Sequence, residues 1–294
     1  MKRKGIILAG GTGTRLHPST ISVSKQLMPV FDKPMIYYPL SVLMQAGIYE
    51  IMIITTPQDQ DAFKKLLGDG SLWGIKLVYA SQPSPDGLAQ ALIIADDFLD
   101  SDHCALILGD NLFFGEGFRK SLLAASKIKE GAIVFGYEVK NPSDYGVVGF
   151  DSKNRVISLA EKPINPASNF AVTGLYFYDE YASEYAKRVT PSARGELEIT
   201  SLNQIYLDAG KLNVKLIDYG STWLDTGTHR TLLQAAEFVS VIEERQGRRI
   251  CCPEVIAYKQ GWINSDQLQV LAQPLLSSGY GQYFIKVLES ETIE

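Results

Sequence analysis

The chain of 294 residues is poor in the features that mark secreted, membrane-spanning or nucleic-acid-binding proteins. Cysteine and histidine are scarce, with three of each. Cys251 and Cys252 are adjacent and Cys104 lies in an apolar run, so the spacing offers neither a disulfide framework nor paired metal thiolates. A reducing, cytoplasmic setting fits this usage. His17, His103 and His229 are scattered, and no zinc site can be read from them. No apolar stretch approaches the ~18 residues that a membrane-spanning helix requires. The basic start Lys2-Arg3-Lys4 is followed by an apolar run, Gly5 to Ala9, that meets glycines before reaching the length of a signal-peptide core. A basic surplus is also missing, because a net charge of -5 leaves nothing to neutralise nucleic-acid phosphates or anionic lipid. Neither nucleic acid nor membrane is expected as a partner.

What is present is an average globular composition, 46% apolar and 21% charged, with no internal repeat and no low-complexity tract. Aliphatic and β-branched runs predict strands at Gly5–Ala9, Glu50–Thr55, Lys76–Ala80, Cys104–Leu108 and Ala132–Glu138, with helices between them. Pro34 stands where a helix to Ala46 would begin, and Gly47 where it would end. Leu88–Leu99 and Gly117–Lys129 are read as helices of the same kind. After about residue 140 shorter strands follow at Gly146–Asp151, Arg155–Glu161 and Ala171–Tyr178, then helices near Tyr181–Arg188 and Leu197–Ala209, a strand at Asn213–Asp218 and a long helix at Thr228–Glu244. The pattern predicts an α/β fold, a Rossmann-like three-layer mixed sheet flanked by helices, with a helical C-terminal segment. A joint at Gln246-Gly247-Arg248-Arg249 divides residues 1–246, a catalytic domain, from 247–294, a helical segment suited to a subunit contact.

The first strand runs straight into Gly10-Gly11-Thr12-Gly13-Thr14-Arg15-Leu16. Closely spaced glycines let backbone amides approach a ligand without Cβ obstruction, which suits phosphate. The turn is not a P-loop, since the Gly-Lys-Ser/Thr ending is missing, and the third glycine of the dinucleotide fingerprint is replaced at Leu16. Arg15 and Lys25 add cationic charge close behind. Gly10 to Arg15, Gln82 to Gly87 and Asp110 each follow the end of a different predicted strand, and open α/β sheets bind ligands outside those carboxyl ends. Gln82 carries both an amide donor and an acceptor and can read the imide edge of thymine or uracil. Gly87 allows backbone near a base. Glu161 can accept from a sugar hydroxyl, Gly146 and Thr173 are read in turn-rich segments that allow main-chain contacts, and Tyr145 and Tyr176 can pack beside them.

Leu8-Ala9-Gly10-Gly11-Thr12-Gly13-Thr14-Arg15-Leu16 with Lys25-Gln26-Leu27-Met28-Pro29 resembles the signature of the sugar-1-phosphate nucleotidylyltransferases. Gln82-Pro83-Ser84-Pro85-Asp86-Gly87-Leu88-Ala89, Gly109-Asp110-Asn111, Glu161-Lys162-Pro163, Thr173-Gly174-Leu175-Tyr176, Arg194-Gly195-Glu196-Leu197-Glu198-Ile199-Thr200 and Trp223-Leu224-Asp225-Thr226-Gly227 resemble the branch that joins dTTP to glucose 1-phosphate. The likeness runs along essentially the whole chain. It implies attack by the sugar phosphate on the α-phosphorus with loss of pyrophosphate, a reaction catalysed by positioning and by cations. On that likeness Leu8, Gly10, Gly11, Thr12, Gly13, Thr14, Arg15, Lys25, Gln82, Pro85 and Gly87 bind the nucleotide. Asp110, Tyr145, Gly146, Glu161, Lys162, Val172, Thr173, Tyr176 and Arg194 bind the sugar phosphate. Arg15, Lys25, Lys162, Asp110 and Asp225 are the implied catalytic set. Asp110 and Asp225, each of which alone reads as a turn or cap residue, become the pair that holds Mg2+, an ion that commonly takes only one or two protein carboxylates.

The likeness further implies a homotetramer, feedback inhibition by dTDP-L-rhamnose at a subunit contact, and a place at the start of deoxysugar biosynthesis. Three other readings compete. A nicotinamide oxidoreductase lacks support at Leu16 and in Thr55-Thr56-Pro57, where an acidic ribose ligand is missing. A non-catalytic sugar-nucleotide sensor would not need Arg15, Lys25, Asp110 and Asp225 together. A glycosyltransferase would usually show Asp-x-Asp where this chain has Asp110-Asn111-Leu112.

Overall fold

The computed structural model describes residues 2–153 and 155–291; Met1, Asn154 and residues 292–294, which include the outer ends of the two expected domains, lie outside the described residues. The strands are β1 (Arg3–Ala9), β2 (Pro29–Val30), β3 (Lys33–Pro34), β4 (Glu50–Thr55), β5 (Lys76–Ser81), β6 (His103–Leu108), β7 (Asn111–Phe114), β8 (Ala132–Glu138), β9 (Gly146–Phe150), β10 (Val156–Glu161), β11 (Phe170–Tyr178), β12 (Leu212–Leu216) and β13 (Thr222–Asp225). The helices are α1 (Tyr37–Gln45), α2 (Gln60–Leu67), α3 (Gln90–Ile94), α4 (Asp96–Leu99), α5 (Glu116–Ala125), α6 (Ala182–Ala186), α7 (Ile199–Asp208), α8 (His229–Gln246), α9 (Pro253–Lys259), α10 (Ser265–Ala272) and α11 (Gly279–Glu291).

The main sheet runs β10-β9-β11-β6-β1-β4-β5, with β8 paired to β11 and β12 to β8. β1 lies parallel to β4 and β6, and β4 parallel to β5. β11 enters antiparallel beside β6, and β8, β9 and β10 continue the antiparallel half. The sheet is therefore mixed, as the change in strand pattern predicts. Its aliphatic strands bury both faces, the requirement for a central strand between two helical layers. Ile7, Ala9, Ile51, Ile53, Ala105 and Ile107 point to one layer, where α1, α2 and α5 supply Leu43, Phe63 and Leu122. Ile6, Leu8, Met52, Ile54 and Leu106 point to the other, against Leu92 of α3, Ala182 of α6 and Leu202 and Tyr206 of α7.

The C-terminal helices are not a separate layer. Val255 and Ala257 of α9, Leu268 and Ala272 of α10 and Phe284 and Val287 of α11 belong to the same apolar cluster as Ile7 and Leu43. Helix α8 begins with a capping box in which Thr228 and Thr231 satisfy each other's backbone N–H, and ends at Gly247 in the left-handed conformation. Beyond it Arg249 reaches Asp32 at 2.9 Å and Glu243 at 2.6 Å, while Glu243 also accepts from the buried Lys33 at 3.0 Å. The β2–β3 hairpin is thus tied to the end of α8.

Three expectations change. Pro34 is not the first residue of a helix: it lies in β3, and α1 starts at Tyr37. The stretch Leu88–Leu99 is two short helices interrupted at Ala95. Asn111–Phe114 and Thr222–Asp225 form an antiparallel two-stranded ribbon that the sequence patterns do not suggest.

Candidate active site

A cleft of about 440 Å³ opens beyond the carboxyl ends of β1, β5 and β6. One wall comes from Leu8, Gly11, Arg15, Lys25, Gln82, Pro85 and Gly87. The other comes from Tyr145, Gly146, Glu161, Lys162, Val172, Tyr176 and Arg194. Asp110 and Asp225 stand among the lining residues as well, so most of the sequence-predicted site residues meet in one cavity.

The charges at the floor are arranged by local structure. Lys25 forms the single 3₁₀ turn Lys25–Leu27, and its ammonium pairs with the Asp110 carboxylate. Burial opposes the charge on Asp110, but the adjacent Lys25 ammonium, helped by the Asn111 amide at 2.9 Å, holds its carboxyl below the usual carboxylate range. Asp225 is opposite Asn111 in the β7–β13 ribbon, which brings it beside Asp110. Burial first, and then the charge of Asp110, push the Asp225 carboxyl above the usual range, against the pull of Lys25 and Arg15. Asp225 is thus the last residue of a strand, where the sequence suggests a turn.

Asn111 holds this floor together. Its Oδ1 accepts from the Gly174 N–H at 3.0 Å and from the Trp223 indole N–H at 2.6 Å, while its Nδ2 donates to Asp110. One buried side chain therefore links β11, β13 and the acidic pair.

On the first wall the 82–89 loop is tied down by backbone bonds from Leu197 to Asp86 at 2.6 Å and from Ala89 to Leu197 at 3.0 Å. Gly87 has φ +116, and a Cβ there would lie 2.4 Å from the Leu197 nitrogen and oxygen, so only glycine fits. At Gly10 a Cβ would stand 2.4 Å from Gln82 Oε1, so a larger residue there would displace the end of the Gln82 side chain. On the opposite wall Glu161 accepts from Thr200 at 2.6 Å, and Arg194 bonds Glu198 at 2.8 Å. Tyr145 packs edge-on against Trp223, with ring centroids 5.3 Å apart.

Some expected residues fall outside the lining. Gly10 is buried against Gln82, and the exposed Thr12 and Thr14 and the half-buried Gly13 do not line the cavity. Thr173 sits within β11, the strand expected at Ala171–Tyr178, fully buried, and Oγ1 has no hydrogen-bond partner. Strand alternation turns Val172, Gly174 and Tyr176 to the cleft and Thr173 away from it. Conversely Gln26, Asn111, Glu196, Glu198 and Trp223 line the cleft without having been singled out from sequence. The only available signal was their place within or beside the quoted motifs.

Comparison with known proteins agrees with this geometry. The Nucleotidyl transferase family model matches residues 4–241. The chain belongs to that family. A family member from Xanthomonas campestris pv. campestris, glucose-1-phosphate thymidylyltransferase, is 58% identical over 282 residues, covering 96% of each chain. The Neisseria meningitidis protein of the same name is 54% identical over 286 residues, covering 97% of this chain and 99% of the other. A solved Bacillus anthracis chain in complex with sucrose is 41% identical with a TM-score of 0.75, covering 80% of this chain and 94% of its own.

Proposed function

We propose that this family member transfers a deoxythymidylyl group from dTTP to α-D-glucose 1-phosphate, giving dTDP-glucose and pyrophosphate. The observation that carries the reading is the Lys25–Asp110 pair where the two walls of one cleft meet, beside Asp225. Full-length relatives of that name, more than half identical to this chain, support the choice of substrates.

The obstacle in this reaction is mutual repulsion of two anions. A sugar-phosphate oxygen forms a bond to the α-phosphorus as the bond to the β-phosphate oxygen breaks in line, and pyrophosphate leaves with the electron pair. Positioned cations are what such a transition state needs. Arg15 and backbone amides of the Gly10–Thr14 turn hold the triphosphate and its leaving pyrophosphate. Lys25 stands at the α-phosphate. Lys162 grips the sugar phosphate, with Arg194 adding positive charge nearby, and Glu161 accepts from a sugar hydroxyl. Gln82 and Gly87 face the base.

The donor set also fits magnesium. Two adjacent half-buried carboxylates, with Asp225 raised first by burial and then by the Asp110 charge, suit a hard divalent cation, and two are sufficient when substrate phosphates and water complete the sphere. When bound, the ion supplies charge neutralisation at the reacting phosphate. The assignment of residues 1–246 to catalysis and 247–294 to a subunit contact, a homotetramer with feedback by dTDP-L-rhamnose, entry into deoxysugar biosynthesis and a cytoplasmic location belong to the same proposal. No helix among the described residues is long and apolar enough to cross a membrane.

The test is to mix dTTP, glucose 1-phosphate and Mg2+ with the protein and follow pyrophosphate and dTDP-glucose. Equal release of both is expected. Pyrophosphate formed without the sugar phosphate, or none formed at all, refutes the reading.

A further inference from the structure

We propose that Gln90, a residue outside the cleft, selects thymine and uracil over cytosine by fixing which end of the Gln82 amide faces the base. The proposal rests on the reading of the cleft as a thymidylyltransferase site with Gln82 at the base. It adds a positioning residue and a reason for the direction of selectivity.

The direction follows from groups that can only accept hydrogen bonds. Asp86 Oδ2 accepts from Ser84 Oγ at 2.6 Å and from a Gln90 side-chain atom at 2.9 Å, and facing a carboxylate that atom is Nε2. The other end of the Gln90 amide, Oε1, is therefore the end turned to Gln82. Gln82 meets it at 2.6 Å and must present its nitrogen. The Gly87 carbonyl, at a longer 3.3 Å from the same nitrogen, agrees with this orientation, and the short bond to Gln90 is the one that holds it. Both hydrogens of the Gln82 amide are then committed, and among the described residues none donates to Gln82 Oε1. That oxygen lies over Gly10, in space that a Cβ would close. Gln82 is only 4% exposed, so its amide has little freedom to turn while these bonds persist.

The cleft thus offers the base an acceptor. Thymine and uracil carry a hydrogen on N3 and can donate to it. Cytosine in the same seat brings a lone pair at N3, and two acceptors would face each other across a buried contact. Gln90 heads α3 and does not line the cavity, so it acts on the base only through Gln82.

The experiment compares dTTP, dUTP and dCTP by kcat/KM with glucose 1-phosphate and by direct binding of each triphosphate. The wild type is expected to favour dTTP and dUTP. Gln90→Leu removes the acceptor that holds the Gln82 nitrogen, and the dTTP-to-dCTP ratio should fall by ~10-fold or more, with the KM for glucose 1-phosphate unchanged. Gln90→Lys places a donor there, which favours the reversed amide, and should lower the ratio further. A ratio that stays within about twofold of wild type in both the Leu and Lys variants overturns the proposal. A wild-type protein that binds these triphosphates selectively but makes no dTDP-glucose would instead refute the reaction and leave the Gln90 relay standing on binding alone.

Discussion

Replacing Asn111 by leucine tests how the acidic floor of the cleft is held. The change conserves approximate volume but removes an acceptor from the Gly174 N–H and the Trp223 indole, at 3.0 and 2.6 Å, in a site where Asn111 is 2% exposed. A buried donor left without a partner costs ~1–3 kcal/mol, so two predict a loss of about 2–6 kcal/mol. Urea unfolding followed by tryptophan fluorescence measures it. Trp223→Phe removes one of the two donors. In the Asn111→Leu background it should therefore cost less than in the wild type, giving a coupling energy of ~0.5–3 kcal/mol. Turnover should fall as well, since Asp110 loses the amide that orients it. A stability loss under about 0.5 kcal/mol, or additive single and double variants, would refute the account of Asn111 as the link between β11 and β13.

Lys25→Met should lower turnover by ~10²–10³-fold in the pyrophosphate assay, because it removes a cation at the reacting phosphate and the partner of Asp110. Asp225→Asn should lower turnover strongly while leaving Tm unchanged or raised, since burial and Asp110 already oppose the Asp225 charge; full activity would break the metal assignment. Glu243→Ala removes one of the two carboxylates that face the buried Lys33 and Arg249, leaving Asp32 to serve both, and should cost ~1.5–3 kcal/mol in urea unfolding. Burial raises the Glu254 carboxyl even though Tyr280 donates to it at 2.8 Å. A raised folded-state pKa gives stability that is complete below the unfolded value of ~4.3 and is lost as pH climbs through the folded value. Glu254→Gln should therefore flatten the decline in urea midpoint above that pH, and an unchanged slope would contradict the assignment.

The parallel half of the fold was readable because its strands are short aliphatic runs with glycine or proline at their ends. Glu50–Thr55 matches the observed β4 at both bounds, and in the antiparallel half Ala132–Glu138 matches β8 in the same way. The cleft was readable wherever a residue followed such a strand, as with Gly11, Arg15, Gln82 and Asp110. Asp225 looked like a turn because β13 is four residues long and its partner β7 lies about a hundred residues away, a separation that leaves no local periodicity. Thr173-Gly174 lie inside the strand expected at Ala171–Tyr178; what the sequence did not reveal is the register shift of β11 against β8 between Val172 and Tyr176. Asn111 drew no attention because its importance comes from two donors that reach it from β11 and β13. Pro34 satisfied the local rule for a helix start, and the hairpin with Pro29 overrode it.

The strand that delivers Asp110 and the strand that delivers Val172 and Tyr176 are hydrogen-bonded neighbours in one sheet. The residues proposed to hold donor and acceptor therefore share one rigid bed, not two lobes that swing together about a hinge. Any adjustment during turnover must come from side chains and from the loops at the rim, and the β6–β11 backbone should superpose closely before and after the substrates enter.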